Sequence, residues 1–454
     1  MNGLTRALAK KPCWSIFFIS LVLLMGLQYK PAILSYTTRL VDFTQYMLAH
    51  GMTLFPIADD LQPYPDYTVT NTILEYLASW PFGHVSILSM GLPFCIAGSL
   101  TLVFVYKLGA LHDQRWGLYG AVFALFTWAF LDGVSYLALD VYPALFTIIG
   151  FYLVYSADFK QTRPRLGLVI AALALGFAFR GPVGLVGPTL VVASYYALSK
   201  QWQRLFSLLV LAGLTLAAGM GLLTWAAYLE GGHAFMVDVL MMQALGRVAN
   251  AHGPRYYFYF SVGLITYGVT AFYALRVIIN QCPQFFRTLR EPETNLLFHL
   301  AAWFLALLVL FTIPHSKKLR YIQSITPAIA LLAAYVFVDR ERVFVRTKEG
   351  FIRLCMNLPL IGLGLLLVVF LYGLQASTPW QPNYVGVLGS CGVLLIGRYA
   401  FARRLSSPAQ RDFLAVMFGL AAFFALDAFL IDAITYHLEL AIEPTPKFLP
   451  YWFW

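Results

Sequence analysis

The stretch HSKKLRYIQSITPAIALLAAYVFV, residues 315–338, decides how the chain is read. From Thr326 onward it is one unbroken apolar run, without the alternation that a lipid-facing β-strand needs, so it predicts a buried or membrane-spanning helix. Ahead of that run stand His315, Lys317, Lys318, Arg320 and Tyr321, a basic and aromatic head on an apolar body. Similar runs recur along all 454 residues, of which 60% are hydrophobic and only 11% charged, with a mean hydropathy of +0.72. A soluble core cannot absorb so much apolar surface, and continuous runs exclude a closed barrel. The expected class is all-α: a polytopic membrane protein with about thirteen transmembrane helices and one domain over 1–454.

Charge placement orients it. A net charge of +10 could suggest a nucleic-acid partner, but most of the 31 Lys and Arg fall in short loops that alternate along the chain. That is the pattern of cytoplasmic loops, and anionic inner-leaflet lipid is partner enough for them; no nucleic acid is called for. The N-terminus is then cytoplasmic. The first span, about residues 14–27, follows Arg6, Lys10 and Lys11 as a signal sequence would, but without a small-residue cleavage site, and is expected to be retained. The five cysteines show no ligand spacing.

Two long loops then face outward, 35–84 and 230–257. The first carries Asp59, Asp60 and Asp66 in PIADDLQPYPDY (56–67), then TNTILEYLASWPFG (70–83), which predicts an amphipathic helix lying on the membrane with Glu75 toward water. The second predicts a surface helix, HAFMVDVLMMQALGRV (233–248), followed by AHGPRYYFYF with His252 and Arg255.

Lys317, Lys318 and Arg320 stand on the outer side, where the positive-inside rule disfavours them. They ask for a phosphate or pyrophosphate at the membrane surface, where low dielectric strengthens the pairing; snorkelling into headgroups is the plainer alternative. FRGPVG (179–184) sets Arg180 at the outer mouth of a helix pair, to meet an anion, to pair with Asp140, or each in turn. Asp140 opens a span and can act as general base or orient one, or merely cap the helix. Asp132, across a short turn, reads as helix-end solvation. Asp59 and Asp60 suit a solvated turn, and Asp66 is the better candidate for proton transfer. Asp66 and His252 are the candidate metal ligands, although no metal-ligand spacing is present.

These segments resemble the polytopic GT-C glycosyltransferases, in particular the branch of bacterial protein O-mannosyltransferase-like enzymes and the lipid A aminoarabinose transferase. RLVDFTQYMLAHG (39–51) is similar to that family's first surface helix, and FRGPVGLVGP to its Lys-Gly-Pro helix start, with Arg180 for the lysine. HGPRYYFY resembles its His-x-x-Pro-Trp-Tyr-Phe-Tyr segment. HSKKLRYIQSITPAIALL keeps Ser316, Lys317, Tyr321 and Pro327 in register with the family pattern, and Asp140 stands where the family has an Asp. The chain departs from it at Tyr36 and Thr37, where the family carries Asp-Glu, and at Thr70–Ile73, in place of its Lys-Pro-Pro-Leu.

The resemblance implies a bacterial inner-membrane enzyme that moves one sugar from a polyprenyl-phosphate donor to an envelope glycan, lipid or protein acceptor on the periplasmic face. The donor phosphate falls to Lys317, Arg320, Arg180, Arg255 and Tyr321. Asp66, Asp60, Asp59 or Asp140 deprotonates the acceptor hydroxyl or binds a divalent cation, the one cofactor this chemistry allows. The rivals are a transporter or flippase, for which the chain lacks internal repeats, and a relative that binds lipid-linked sugar without turnover.

Overall fold

The computed structural model describes residues 11–28, 35–57, 62–244, 256–285, 292–314, 317–339, 342–375, 384–402 and 408–431. Among these the chain is helical, and its β-structure is one isolated bridge, Ile57 to Pro63. The helices in order are α1 (Pro12–Gly26), α2 (Ser35–His50), α3 (Thr70–Ser79), α4 (Ile87–Gly109), α5 (Gln114–Leu125), α6 (Trp128–Ser135), α7 (Val141–Phe159) and α8 (Leu166–Arg180). Then follow α9 (Pro182–Leu198), α10 (Trp202–Ala244), α11 (Leu264–Phe285), α12 (Pro292–Thr312), α13 (Thr326–Ala334), α14 (Val345–Gln375), α15 (Tyr384–Ala402) and α16 (Pro408–Leu426).

Among the described residues eight helices are long and apolar enough to cross a membrane, or nine with α5 and α6, which meet at 64°, taken as one broken span. A count of thirteen is met only if the shorter apolar helices α1, α8, α9 and α15 cross as well.

Contacts group the chain into two compact units. One takes in Met1–Gln28 and Tyr36–Val338, the other Asp339–Leu449. In the second, α14, α15 and α16 close on Leu366, Val369, Val387, Cys391 and Leu426. All the site chemistry below lies in the first.

Residues 317–338 of that stretch form a buried post within the first unit. Leu319–Ile325 winds as a tight 3-10 helix, and Pro327 opens α13. The tight winding and the proline leave carbonyls without helical partners, which lipid would not tolerate. Side chains from three other elements take them: Tyr267 Oη donates to Ile322 O at 2.6 Å, Trp303 Nε1 to Ser324 O at 3.0 Å, and Trp116 Nε1 to Leu331 O at 2.7 Å. The segment is thereby pinned from several sides, and Arg320 and Tyr321 ride on its first turn.

The two long loops are tied to each other. α10 breaks at Gly231 and Gly232, the latter at φ 68°, so the span ends there and a second helical stretch runs on to Ala244. Leu54 N donates to Glu230 at this break, and Phe55 packs edge-on against Phe235, with ring centroids 4.9 Å apart, beside Ala227 and Val239.

The helix α3 corrects one expectation. It is amphipathic, but Asn71, Thr72, Glu75 and Ser79 are its buried face, whereas Leu77 on it and Trp80 and Phe82 just beyond it are exposed. Glu75, expected to face water, is 0% exposed. The apolar side chains point outward, while the polar stripe finds partners within. Thr44 Oγ1 donates to one Glu75 oxygen at 3.2 Å and Asn71 Nδ2 to the other at 2.9 Å. Burial pushes the Glu75 carboxyl up to about 8, and these two hydrogen bonds oppose the rise.

A candidate anion site at one end of the helices

Three helix ends meet at Asp140. Asp140 stands just before α7, yet its side chain does not cap the helix. Its carboxylate turns instead to two arginines: Oδ1 lies 3.4 Å from Arg180 Nε and Oδ2 3.4 Å from Arg320 Nε. The first contact is an aligned hydrogen bond; the second is a charge contact. Asp140 is 4% exposed and Arg180 3%. Two arginines thus converge on one buried carboxylate, where low dielectric strengthens the pairing.

The sequence around Arg180 explains its place. Gly176 and Gly184 let α8 and α9 approach until a Cβ on Gly184 would fall 1.9 Å from Gly176 O. Gly181 turns the chain between them at φ 61°, ψ −150°, a conformation open essentially to glycine. Arg180 thus ends one helix and is aimed at the start of α7.

The first long loop closes over this cluster. The Tyr67 ring faces the Arg180 guanidinium at 5.3 Å, and Arg39 donates to Tyr64 Oη at 2.6 Å. Gln243, at the end of α10, donates from Nε2 to the carbonyls of Pro65 and Asp66, at 3.2 and 3.1 Å. That fixes the backbone of Asp66, whose side chain is half-buried. Lys318 is exposed beside them. Desolvation lowers its pKa, Arg320 and Arg180 lower it further, and Asp66 and Asp140 pull it the other way. Lys318 therefore shares one electrostatic environment with both carboxylates and both arginines.

The expected residues fare differently. Asp140, Arg180 and Arg320 come together, with Asp66 near them; Tyr321 is electrostatically coupled to Arg180. Asp59, Asp60, His252 and Arg255 lie outside the described residues.

Lys317, read as a phosphate ligand, is occupied differently. Its ammonium donates to the carbonyls of Phe311, Thr312 and Pro314, capping the C-terminal end of α12 where helical carbonyls lack partners. Lys318, one residue on, is the lysine turned to the cluster. Spacing alone cannot separate neighbours whose backbone is extended. Gln243 and Tyr67 also escape the sequence, since only the packing of distant loops reveals them. Among the described residues no group of three or more His, Cys, Asp and Glu gathers as a metal cage.

Residues 79–227 match the family model of Dolichyl-phosphate-mannose-protein mannosyltransferase, a segment that holds Asp140 and Arg180 but not Arg320. An uncharacterised protein of Aquifex aeolicus (strain VF5) is 24% identical over 293 residues, 63% of this chain. The chain spans 62% of that relative's length. Crystal structures of ArnT from Cupriavidus metallidurans resemble the whole chain. The form bound to undecaprenyl phosphate has a TM-score of 0.64 at 16% identity, over 99% of this chain and 82% of ArnT. The apo form has 0.66 at 14%, over 98% and 81%. The arabinosyltransferase EmbB of Mycobacterium smegmatis follows at 0.50 and 15%, over 94% of this chain and 41% of EmbB. The chain is a multi-pass membrane protein with the GT-C fold.

Proposed function

We propose that this chain is a membrane glycosyltransferase that takes a sugar from a polyprenyl-phosphate donor and passes it to a hydroxyl of an envelope glycan or lipid on the periplasmic face. The observation that carries this reading is the buried carboxylate of Asp140 held between Arg180 and Arg320, with Lys318 exposed beside them. Two arginines and a lysine gathered at one helix end suit an anionic substrate group. The bound lipid of the ArnT neighbour is of the same chemical class.

The chemistry is a displacement at the anomeric carbon. The acceptor oxygen forms the new bond as the carbon–oxygen bond to phosphate breaks, and the bonding pair leaves with the phosphate. Arg180, Arg320 and Lys318 meet the charge that grows there, which is where fixed cations lower a barrier most. Asp140 keeps the arginines from repelling each other and sets their direction. Asp66, tethered by Gln243, takes the acceptor proton. A divalent cation held by Asp66 could share in activating that hydroxyl.

The test is direct. Labelled undecaprenyl-phosphate sugars are supplied to the purified protein with an envelope extract, and wild type is compared with Asp66→Asn and Arg320→Gln. We expect transfer by the wild type and its loss in both variants. Transfer unaffected in both would overturn the site. Undecaprenyl phosphate that binds the wild type with no transfer from any donor would favour a non-catalytic lipid binder.

A further inference from the structure

At the opposite end of the same helices lies a second feature that the transferase reading leaves unused. α7 carries Asp140 before its first residue and Lys160 after its last, and its 19 residues separate those ends by about 28 Å. Around the far end a groove of about 520 Å³ runs between α4, α7 and α8. Its mouth holds Lys107, Lys160, Arg163 and Arg165, and none of its lining residues is acidic. Its wall, formed by Phe146, Ile149, Leu168 and Leu175 among others, is apolar. Leu168 and Leu175 are 47% and 44% exposed, so the wall opens sideways to whatever surrounds the helices.

Among the described residues none of the four cations forms an ion pair within the chain. Lys107 is instead positioned by aromatic faces, its ammonium 4.7 Å from the ring centroids of both Phe104 and Tyr152. Cations left over from topology alone point into water. Here one is held over two rings at the inner end of an apolar furrow, and three others rim it.

We propose that this groove binds an anionic phospholipid of the surrounding leaflet. Its phosphate sits among Lys107, Lys160, Arg163 and Arg165, and an acyl chain lies along Phe146, Leu168 and Leu175. Charge complementarity selects the headgroup, and the sideways opening lets the lipid enter from the bilayer. The site lies a helix length from the Asp140 cluster and does not depend on the transferase reading.

Native mass spectrometry of the full-length protein in detergent, titrated with dioleoylphosphatidylglycerol and with dioleoylphosphatidylcholine, tests it. We expect tight, saturable binding of the first and weak binding of the second. The variant K160Q/R163Q/R165Q should bind phosphatidylglycerol more weakly by on the order of a hundredfold. Ala171→Trp fills the groove from an exposed lining position without altering charge and should abolish the saturable binding. R342Q/R346Q/R353Q removes as many cations from positions that do not line the groove and should leave it intact. The proposal is overturned if both lipids bind alike, if Ala171→Trp leaves binding unchanged, or if the control triple variant weakens it as much as the groove variant. Melting curves of each variant identify any that fails to fold, and the remaining substitutions still decide the question.

Discussion

Replacing Glu75 with Gln should make the protein more resistant to alkaline pH, with the sign and size set by its burial. Glu75 is fully enclosed on α3, bonded to Thr44 and Asn71, and its carboxyl is pushed up to about 8 from a usual 4.5. In the fold it is therefore protonated at neutral pH, while in the unfolded chain it is ionised. The folded state binds the extra proton, so stability is greatest below pH 4.5 and falls as pH rises toward 8. Each pH unit in that window is worth about 1.4 kcal/mol, which brings the loss above pH 8 to on the order of 5 kcal/mol. Gln keeps the shape and a polar group for each partner but has no proton to lose. Thermal unfolding followed by tryptophan fluorescence, from pH 5 to 9 in one detergent, reads the difference. The variant and wild type should melt together near pH 5 and diverge steadily, with the variant higher at pH 8.5. A difference that does not change with pH would refute the reasoning, because it would mean that Glu75 does not change ionisation on unfolding.

Further outcomes follow from the site. Asp140→Ala leaves two buried arginines facing one another and should destabilise the protein by about 3–5 kcal/mol, visible as a large fall in Tm. Lys318→Ala should leave Tm within error and weaken undecaprenyl phosphate binding by roughly tenfold, the worth of one charge-assisted contact. Lys317→Ala should do the reverse, lowering Tm through the lost cap on α12 and leaving affinity near wild type. The pair thus separates the two adjacent lysines in one binding and one melting experiment. Gly181→Ala forces a side chain onto a φ of 61° and 2.9 Å from Gln243 Oε1. It should cost about 1–3 kcal/mol and weaken lipid binding through Arg180, as measured by the same two assays.

Much of this was legible without coordinates, for identifiable reasons. Continuous apolar runs specify helices in lipid, and the Gly-Pro step after Arg180 specifies a turn, so α8, α9 and the position of Arg180 were open to sequence. So was the basic head before α13, because it violates a charge bias. The face of α3 was misjudged because its polar stripe was assigned to water, whereas Thr44 from another helix and Asn71 meet it inside the protein. Lys317 and Lys318 were indistinguishable because what separates them is a set of free carbonyls at the end of α12, a tertiary circumstance. Gln243 gave no signal at all, being one amide in a helix more than 170 residues from the carbonyls it holds.

The carboxylate between two arginines has a kinetic consequence. A polyprenyl-phosphate sugar carries one negative charge on its phosphodiester, whereas the lipid left after transfer is a monoester that at neutral pH carries nearly two. A clamp that favours the growing charge of the leaving group therefore grips the spent carrier more tightly than the fresh donor. On the proposed chemistry, turnover is governed by departure of the used lipid: a burst of the first transfer, then a slower steady rate. Spent carrier should compete with donor at low concentration, and salt should speed the steady phase by loosening that grip.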